Sequence, residues 1–246
     1  IVILPIALAL WLPQERIGPP EAMAAPPPCL EISRAREIRA EAVTACLQRG
    51  GRVDLTNKTI RHRLDLRGLA VIETPFACRD CLFESAVDAS EVVFKRSMEL
   101  TGSTIEGALK MRGAIFEGAA LFSVPDKPST FGGRLDFSLV VFNDIASFEE
   151  ATFNERAAFS STRFLGDASF SLATFLASAS FAGAVFAQEA AFPATATSDP
   201  AKQAKEVVRG GLCASEGSAA GQGAFEKAVT FDRAAFRSTA DFRQRC

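Results

Sequence analysis

The hydrophobic pattern of the chain is dominated by phenylalanines at alternating steps of six and five residues. Between residues 131 and 192 they occupy positions 131, 137, 142, 148, 153, 159, 164, 170, 175, 181, 186 and 192. The same steps return at positions 225, 231, 236 and 242, and a weaker form with period eleven links Phe83, Phe94, Ile105 and Phe116. A four-residue slip before Phe131 is explained by the insertion "VPDKPS". A true period of eleven residues predicts a repeat architecture.

Alanine precedes most of these phenylalanines by two residues, as Ala168 precedes Phe170 and Ala179 precedes Phe181. Residues i−2 and i point to the same side of an extended strand, so alanine and phenylalanine share one buried face. In a helix, a five-residue step rotates by about 140°, which separates the two phenylalanine series. The pattern therefore predicts short strands stacked into a solenoid.

The residues just before one phenylalanine series indicate the size of a coil. They are Thr130, Val141, Thr152, Arg163, Thr174 and Val185, in which threonine returns every 22 residues. We predict a four-sided coil of 22 residues and a threonine column with a spacing of about 4.8 Å. One column is more typical of exposed β-structure than of an ice-binding plane, which needs several columns side by side.

The segments "ATFNERAAF", "FLGDASFSLATF" and "FAGAVF" resemble the pentapeptide-repeat family, in its Phe-rich branch with alternating five- and six-residue steps. The resemblance covers about residues 53–192 and 225 to the end. It implies an all-β fold, a right-handed quadrilateral β-helix. The chain departs from the familiar A-(D/N)-L-x-x pattern through its central phenylalanine and its six-residue step.

The regions around the repeat divide the chain into five segments. We predict a signal peptide or membrane anchor over 1–24, and a linker with a capping helix over 25–50, the helix spanning 33–49 from Ser33 as N-cap. The β-helix follows over 51–192, with Leu55, Ile60 and Leu66 in its first coil. An inserted loop with a short helix starting near Ser198 occupies 193–224, and 225–246 continues a β-helix that we expect to extend beyond this sequence.

The first segment predicts export. The apolar run "IVILPIALALWLP" is followed by Ala22-Met23-Ala24, a small-x-small cleavage site. An uncleaved membrane anchor is the alternative, and both interpretations place most of the chain outside the cytoplasm.

Six cysteines in an exported chain indicate disulfides. We favour the pairs Cys29 with Cys46 and Cys78 with Cys81, while other pairings stay open and Cys213 and Cys246 stand apart. A zinc site at Cys78 and Cys81 is disfavoured, because no second ligand pair at short spacing exists.

No residues predict a catalytic, cofactor-binding or metal site. His62 lies between Arg61 and Arg63, which is typical of a solvated basic edge. The chain has no tyrosine and Trp11 as its one tryptophan, which disfavours a polysaccharide-active β-helix. Seven acidic and three basic residues between 131 and 192 give a charge density far below that of duplex DNA, so mimicry of nucleic acid is disfavoured as well.

We therefore expect a non-enzymatic exported scaffold that presents a surface to a protein partner of unknown identity. We expect no nucleic acid, small-molecule substrate or cofactor, and the N-terminal segment is compatible with a membrane tether. The alternative is an extracytoplasmic sensory or regulatory domain of a membrane protein.

Overall fold

A computed structural model describes residues 29–192, 229–231, 233–236 and 240–241. The predicted signal segment at 1–24 and the predicted helix at 193–224 lie outside these residues. Four parallel sheets enclose one continuous core, so the predicted all-β, quadrilateral β-helix is confirmed.

The chain visits the four sheets in a fixed order, which we number I to IV. Sheet I contains β2 (Val53–Thr56), β6 (Phe76–Arg79), β10 (Met98–Glu99), β14 (Ala120–Ser123), β18 (Ala146–Phe148), β22 (Ala168–Ser169), β26 (Ala190–Ala191) and β29 (Ala240–Asp241). Sheet II contains β1 (Glu37–Arg39), β3 (Thr59–Arg61), β7 (Leu82–Phe83), β11 (Thr104–Ile105), β15 (Thr130–Phe131), β19 (Thr152–Phe153) and β23 (Thr174–Phe175).

Sheets III and IV close the other two sides. Sheet III contains β4 (Leu64–Asp65), β8 (Val87–Asp88), β12 (Leu109–Lys110), β16 (Leu135–Asp136), β20 (Ala157–Ala158), β24 (Ala179–Ser180) and β27 (Val229–Thr230). Sheet IV contains β5 (Val71–Ile72), β9 (Val93–Phe94), β13 (Ile115–Phe116), β17 (Val141–Phe142), β21 (Arg163–Phe164), β25 (Val185–Phe186) and β28 (Ala235–Phe236).

The strand register confirms the predicted coil of 22 residues. Thr130 pairs with Thr152, and Thr152 pairs with Thr174, so the predicted threonine column forms along sheet II. Thr104 pairs with Thr130 across a longer separation, because the insertion leaves the coil as a small loop closed by an antiparallel bridge between Val124 and Lys127. The solenoid thus accommodates the slip in one loop.

The corners of the coil explain why steps of five and six alternate. After sheets I and III, the chain makes a β-turn: the Ala151 amide donates to the Phe148 carbonyl, and the Ala173 amide donates to the Phe170 carbonyl. The third residue of each turn has a positive φ, as at Glu150 (57°) and Leu172 (56°), the requirement of a type II turn. These tight corners take a five-residue step, and the other two corners use one residue more.

The core consists of columns of phenylalanine rings, one column inside each sheet. Within a column, rings stack in parallel: Phe148 and Phe170 have centroids 4.9 Å apart and planes 4° apart. Between columns, rings meet edge to face, as Phe159 and Phe170 do at 5.2 Å and 85°. Both geometries are favourable for aromatic quadrupoles. The column extends across the insertion, because Phe181 stacks on Phe231 at 4.9 Å.

The N-terminal cap differs from its prediction. Instead of one helix over 33–49, a short helix α1 (Leu30–Arg34) is followed by strand β1, and the capping helix α2 starts at Arg39 as N-cap and spans Ala40–Gln48. Strand β1 pairs with β3, Ile38 opposite Ile60. The segment therefore both covers the edge of the first coil and adds a strand to it. A 3-10 helix, η1 (Arg67–Leu69), replaces the tight corner in the first coil.

Two disulfides connect the pairs that the sequence favoured. Cys29 and Cys46 have Cα atoms 5.9 Å apart and fasten the cap, and Cys78 and Cys81 have Cα atoms 5.7 Å apart within one corner. Among the residues that the structure describes, no helix has the length and apolar composition needed to cross a bilayer.

Candidate functional site

The interior of the β-helix is filled by side chains. Its largest members are at most 2% exposed, Phe142, Phe159 and Phe170 among them. A ligand in the interior would have to displace rings from the columns. Recognition is therefore confined to the outside of the coils and to their corners.

One open cavity of about 280 Å³ lies at the N-terminal end of sheet II, where Glu37, Ile38, Arg39, Arg61 and His62 line it. The Arg61 guanidinium binds the carboxylate of Glu37 at 3.0 Å. His62 is exposed, in agreement with its predicted solvated position. Within the described residues, no cluster of His, Cys, Asp or Glu has the geometry of a metal site.

The first coils carry a network of ion pairs on sheet III. Arg63 donates to Asp88 at 2.7 Å, and Arg67 donates to Asp65 at 2.6 Å. The hydrogen bonds from Arg67 lower the pKa of Asp65 to about 2. Asp88 also accepts hydrogen bonds from Ser90. Each described partner in the network is satisfied internally, which is typical of a structural network.

A second network runs along sheet I. Arg79 donates to Asp54 at 2.9 Å and to Glu99 at 2.7 Å, bridging three consecutive coils. The hydrogen bond to Asp54 is the largest cause that raises the pKa of Arg79. Because Asp54 and Glu99 both pair with Arg79, this network also stabilises the stack.

The outward residues of the four sheets differ in chemistry. Sheet II presents a mostly polar ladder of five threonines and one leucine, composed of Thr59, Leu82, Thr104, Thr130, Thr152 and Thr174. Sheets I and III present mixed charged and small residues. Sheet IV presents an apolar ladder that ends with the small side chain of Ala235 in β28. Before Ala235 come six larger residues, five apolar and one cationic: Val71, Val93, Ile115, Val141, Arg163 and Val185. We call these six residues the sheet IV ladder and number its rungs 1 to 6 in that order.

The apolar rungs 2, 3, 4 and 6 of the sheet IV ladder are half-buried, and the more exposed apolar side chains lie at rung 1 and beside rung 4. Rung 1, Val71, is 40% exposed, and the corners on the two sides of rung 4 add Leu139 at 50% and Ile145 at 46%. The fourth large apolar residue of comparable exposure, Leu172, lies at another corner. Contiguous exposed apolar surface is uncommon on monomeric proteins and marks sites of interaction. The sheet IV ladder is thus the candidate functional site.

Part of the chain matches a known protein family. A family model described as pentapeptide repeats (9 copies) matches residues 129–171, which include β15 to β22 and all four sides of the coil. The predicted resemblance to the pentapeptide-repeat family is confirmed over these residues. No curated protein and no solved structure matches the chain.

Pentapeptide-repeat solenoids are generally non-catalytic, and the packed interior of this pentapeptide-repeat protein fits a non-enzymatic repeat protein. The sequence predicted no catalytic, cofactor-binding or metal-binding residue, so there is no predicted site residue whose position could be described. The inserted loop predicted over 193–224 lies outside the described residues.

Sequence reasoning missed the sheet IV ladder, although its signal was present. The sequence pattern assigns a column only to the threonines of one series at a spacing of eleven, composed of Thr130, Val141, Thr152, Arg163, Thr174 and Val185. The structure divides them between sheets II and IV, so the alternate residues form a second, apolar ladder. An alternating Thr/Val series at a spacing of eleven is the signal for two opposed faces of different chemistry.

Proposed function

We propose that this pentapeptide-repeat protein is a non-enzymatic scaffold that acts outside the cytoplasm and binds protein through the sheet IV ladder. The observation that carries the proposal is the asymmetry of the four outer faces. Sheet II offers mainly threonine hydroxyls, sheets I and III offer charges that are paired in the first coils and small residues farther along, and sheet IV offers half-buried valine and isoleucine side chains.

The rigidity of the solenoid supports a scaffold role. Parallel ladders hold every outward residue at a spacing of about 4.8 Å along the axis. The phenylalanine columns fix the backbone beneath, with Phe142 and Phe164 at 5.1 Å behind rungs 4 and 5. A surface held in this way loses little conformational entropy on binding, which favours affinity.

The cysteines support action outside the cytoplasm. Cys46 is fully buried against Cys29, and Cys78 and Cys81 are 1% and 2% exposed. Structural disulfides persist in oxidising compartments and are rare in the cytosol. The apolar N-terminal run followed by Ala22-Met23-Ala24 is likewise typical of an exported protein.

Site-specific photo-cross-linking in cells tests the proposal. A photoreactive phenylalanine analogue replaces Val141 of the sheet IV ladder in one variant and Ala158, which faces outward from sheet III, in a matched control. We expect a discrete protein adduct from position 141 in the fraction outside the cytoplasm and none from position 158. Equal labelling at both positions, or recovery of the chain in the cytoplasm with reduced cysteines, contradicts the proposal.

A further inference from the structure

We propose that the partner of the sheet IV ladder is a second copy of this chain, packed antiparallel to the first. This inference rests on the proposed role of the ladder as an interaction surface. It is carried by three properties of the ladder: its period, its charge pattern and the shape of one adjoining corner.

The period of the ladder favours another β-helix as partner. Rungs recur at the strand spacing, about 4.8 Å. A facing surface can insert side chains between all six rungs only if it has the same spacing over a length of about 24 Å. A second copy satisfies this condition, since its own sheet IV has the identical repeat.

The single cation of the ladder selects the orientation. In a parallel pair each rung faces itself, which places Arg163 against Arg163 of the second copy, two like charges in an apolar contact. In an antiparallel pair that overlaps rungs 1 to 6 and leaves Ala235 outside the contact, rung n faces rung 7−n. Arg163 then faces rung 2, Val93, and the corner that precedes Val93 contributes Glu91.

Arg163 and Glu91 are suited to pair between copies. Both are exposed, and neither has an ion pair or side-chain hydrogen bond with another described residue of its own chain. A twofold axis between rungs 3 and 4 places each Arg163 beside Glu91 of the other copy and so forms the contact twice. Isologous interfaces require this kind of self-complementarity.

The corners beside rungs 3 and 4 are complementary in shape. Leu139, the most exposed large apolar residue, precedes rung 4. The equivalent corner residue before rung 3 is Gly113, which also has a positive φ (68°) and no side chain. Antiparallel packing lays Leu139 of each copy over Gly113 of the other. The exposed leucine would then be covered without a steric conflict.

The area predicts weak association. The contact face is about 10 Å wide and about 24 Å long, so each copy would bury a few hundred Å² of surface. A standard stable interface buries roughly 800 Å² per partner. We therefore expect a concentration-dependent dimer with a dissociation constant of about 10 to 100 µM.

Sedimentation velocity of the full chain from about 5 to about 500 µM tests the inference. We expect the weight-average mass to rise from one chain to two. Arg163→Glu and Glu91→Arg should each weaken association at least about tenfold, because each places like charges opposite one another. The double variant Arg163→Glu/Glu91→Arg should restore the dimer, since it regenerates the pair with reversed sign.

The matched control is Arg156→Glu, which changes an exposed arginine between sheets II and III and should leave association unchanged. A chain that stays monomeric at the highest concentration overturns the inference. So does association that neither single substitution weakens, as expected if the apolar N-terminal run causes it, and so does a double variant that fails to recover. Thermal melts of each variant check that the fold is retained.

The cross-linking at Val141 separates this inference from the proposed function. An adduct with the mass of two chains supports both. An adduct with a different protein, together with a monomer in sedimentation, retains the scaffold and overturns the dimer. The absence of any adduct contradicts the proposed function itself.

Discussion

The two halves of the β-helix build the same coil from different interiors. In the N-terminal half, aliphatic and sulfur-containing residues fill most of the core, Leu100, Ile105, Leu109 and Met111 among them. In the C-terminal half, from 131 to 192, phenylalanine occupies all four columns. The ion pairs of sheets I and III and both disulfides lie in the N-terminal half, and among the described residues 131–192 form no ion pair.

This difference shows that the backbone ladders fix the geometry of the coil, whereas the interior decides where stability resides. A phenylalanine buries more apolar area than a leucine and adds ring stacking. The N-terminal coils have fewer rings and more ion pairs and cross-links. We therefore expect the C-terminal half to depend on its core and the N-terminal half to depend in part on covalent and surface contacts.

The largest expected effect comes from removing a ring in the C-terminal half. Phe170 stacks between Phe148 and Phe192 and meets rings of neighbouring columns. Phe170→Ala should lower the free energy of unfolding by about 3 to 5 kcal/mol, because the neighbouring rings are too constrained to fill the cavity. Leu100→Ala in the same column of the N-terminal half should lower it by about 2 to 3 kcal/mol.

Chemical denaturation measures both variants, with Thr174→Ala on the exposed threonine column as a control that should change stability by less than about 0.5 kcal/mol. An equal loss of unfolding free energy from Phe170→Ala and Leu100→Ala would contradict the expected difference between the two interiors.

The second effect tests the covalent contribution to the N-terminal half. Cys29→Ala/Cys46→Ala should destabilise by about 3 kcal/mol and Cys78→Ala/Cys81→Ala by about 2 kcal/mol, because the longer loop loses more entropy on closure. Hydrogen exchange should quicken after reduction in peptides of the cap and first coils, and stay unchanged between 146 and 192. Faster exchange in both regions would indicate a single cooperative unit instead.

A third effect concerns the tight corners that both halves share. Leu172 has a φ of 56°, where a leucine is strained by about 1 to 2 kcal/mol. Leu172→Gly should stabilise by about 0.5 kcal/mol, since relief of strain exceeds the entropy lost by glycine. Leu176→Gly, at a corner without positive φ, should destabilise by about 0.5 to 1 kcal/mol. Thermal unfolding distinguishes the two signs, and destabilisation by both would show that Leu172 contributes through packing.

The smallest expected effect is a dependence of stability on pH that arises in the N-terminal half. The pKa of Asp65 is lowered to about 2 by its hydrogen bonds with Arg67. Its contribution is therefore present above the unfolded pKa near 4 and lost as the pH falls towards 2. Because the pair is largely exposed, the loss should be about 0.5 kcal/mol. Arg67→Ala should flatten this part of the stability profile, and an unchanged profile would contradict the assignment.

The repeat was predictable because its physics is local. Steps of five and six place phenylalanine on the inner face of successive sides, and alanine two residues earlier fits the same face, as at Ala168 and Phe170. The cap was predicted only in part. The pattern of Ile38, Val43 and Leu47 suits a helix, yet Glu37–Arg39 forms a strand because the edge of β3 offers hydrogen bonds that no local signal reveals.

The sequence by itself determined the family, the four-sided coil, the period of 22 residues and the loop at "VPDKPS", because each follows from which residues recur at a fixed spacing. The period also predicted the threonine column, whereas only the tertiary structure decided that the alternate residues form an apolar ladder that continues across the insertion. Val141 and Thr152 are separated by eleven residues in the sequence but lie on different sheets, while Val141 contacts its own sheet's Ile115 and Arg163 through parallel pairing. The closure of the coil makes this assignment, because residues a full turn apart, rather than half a turn, share one face.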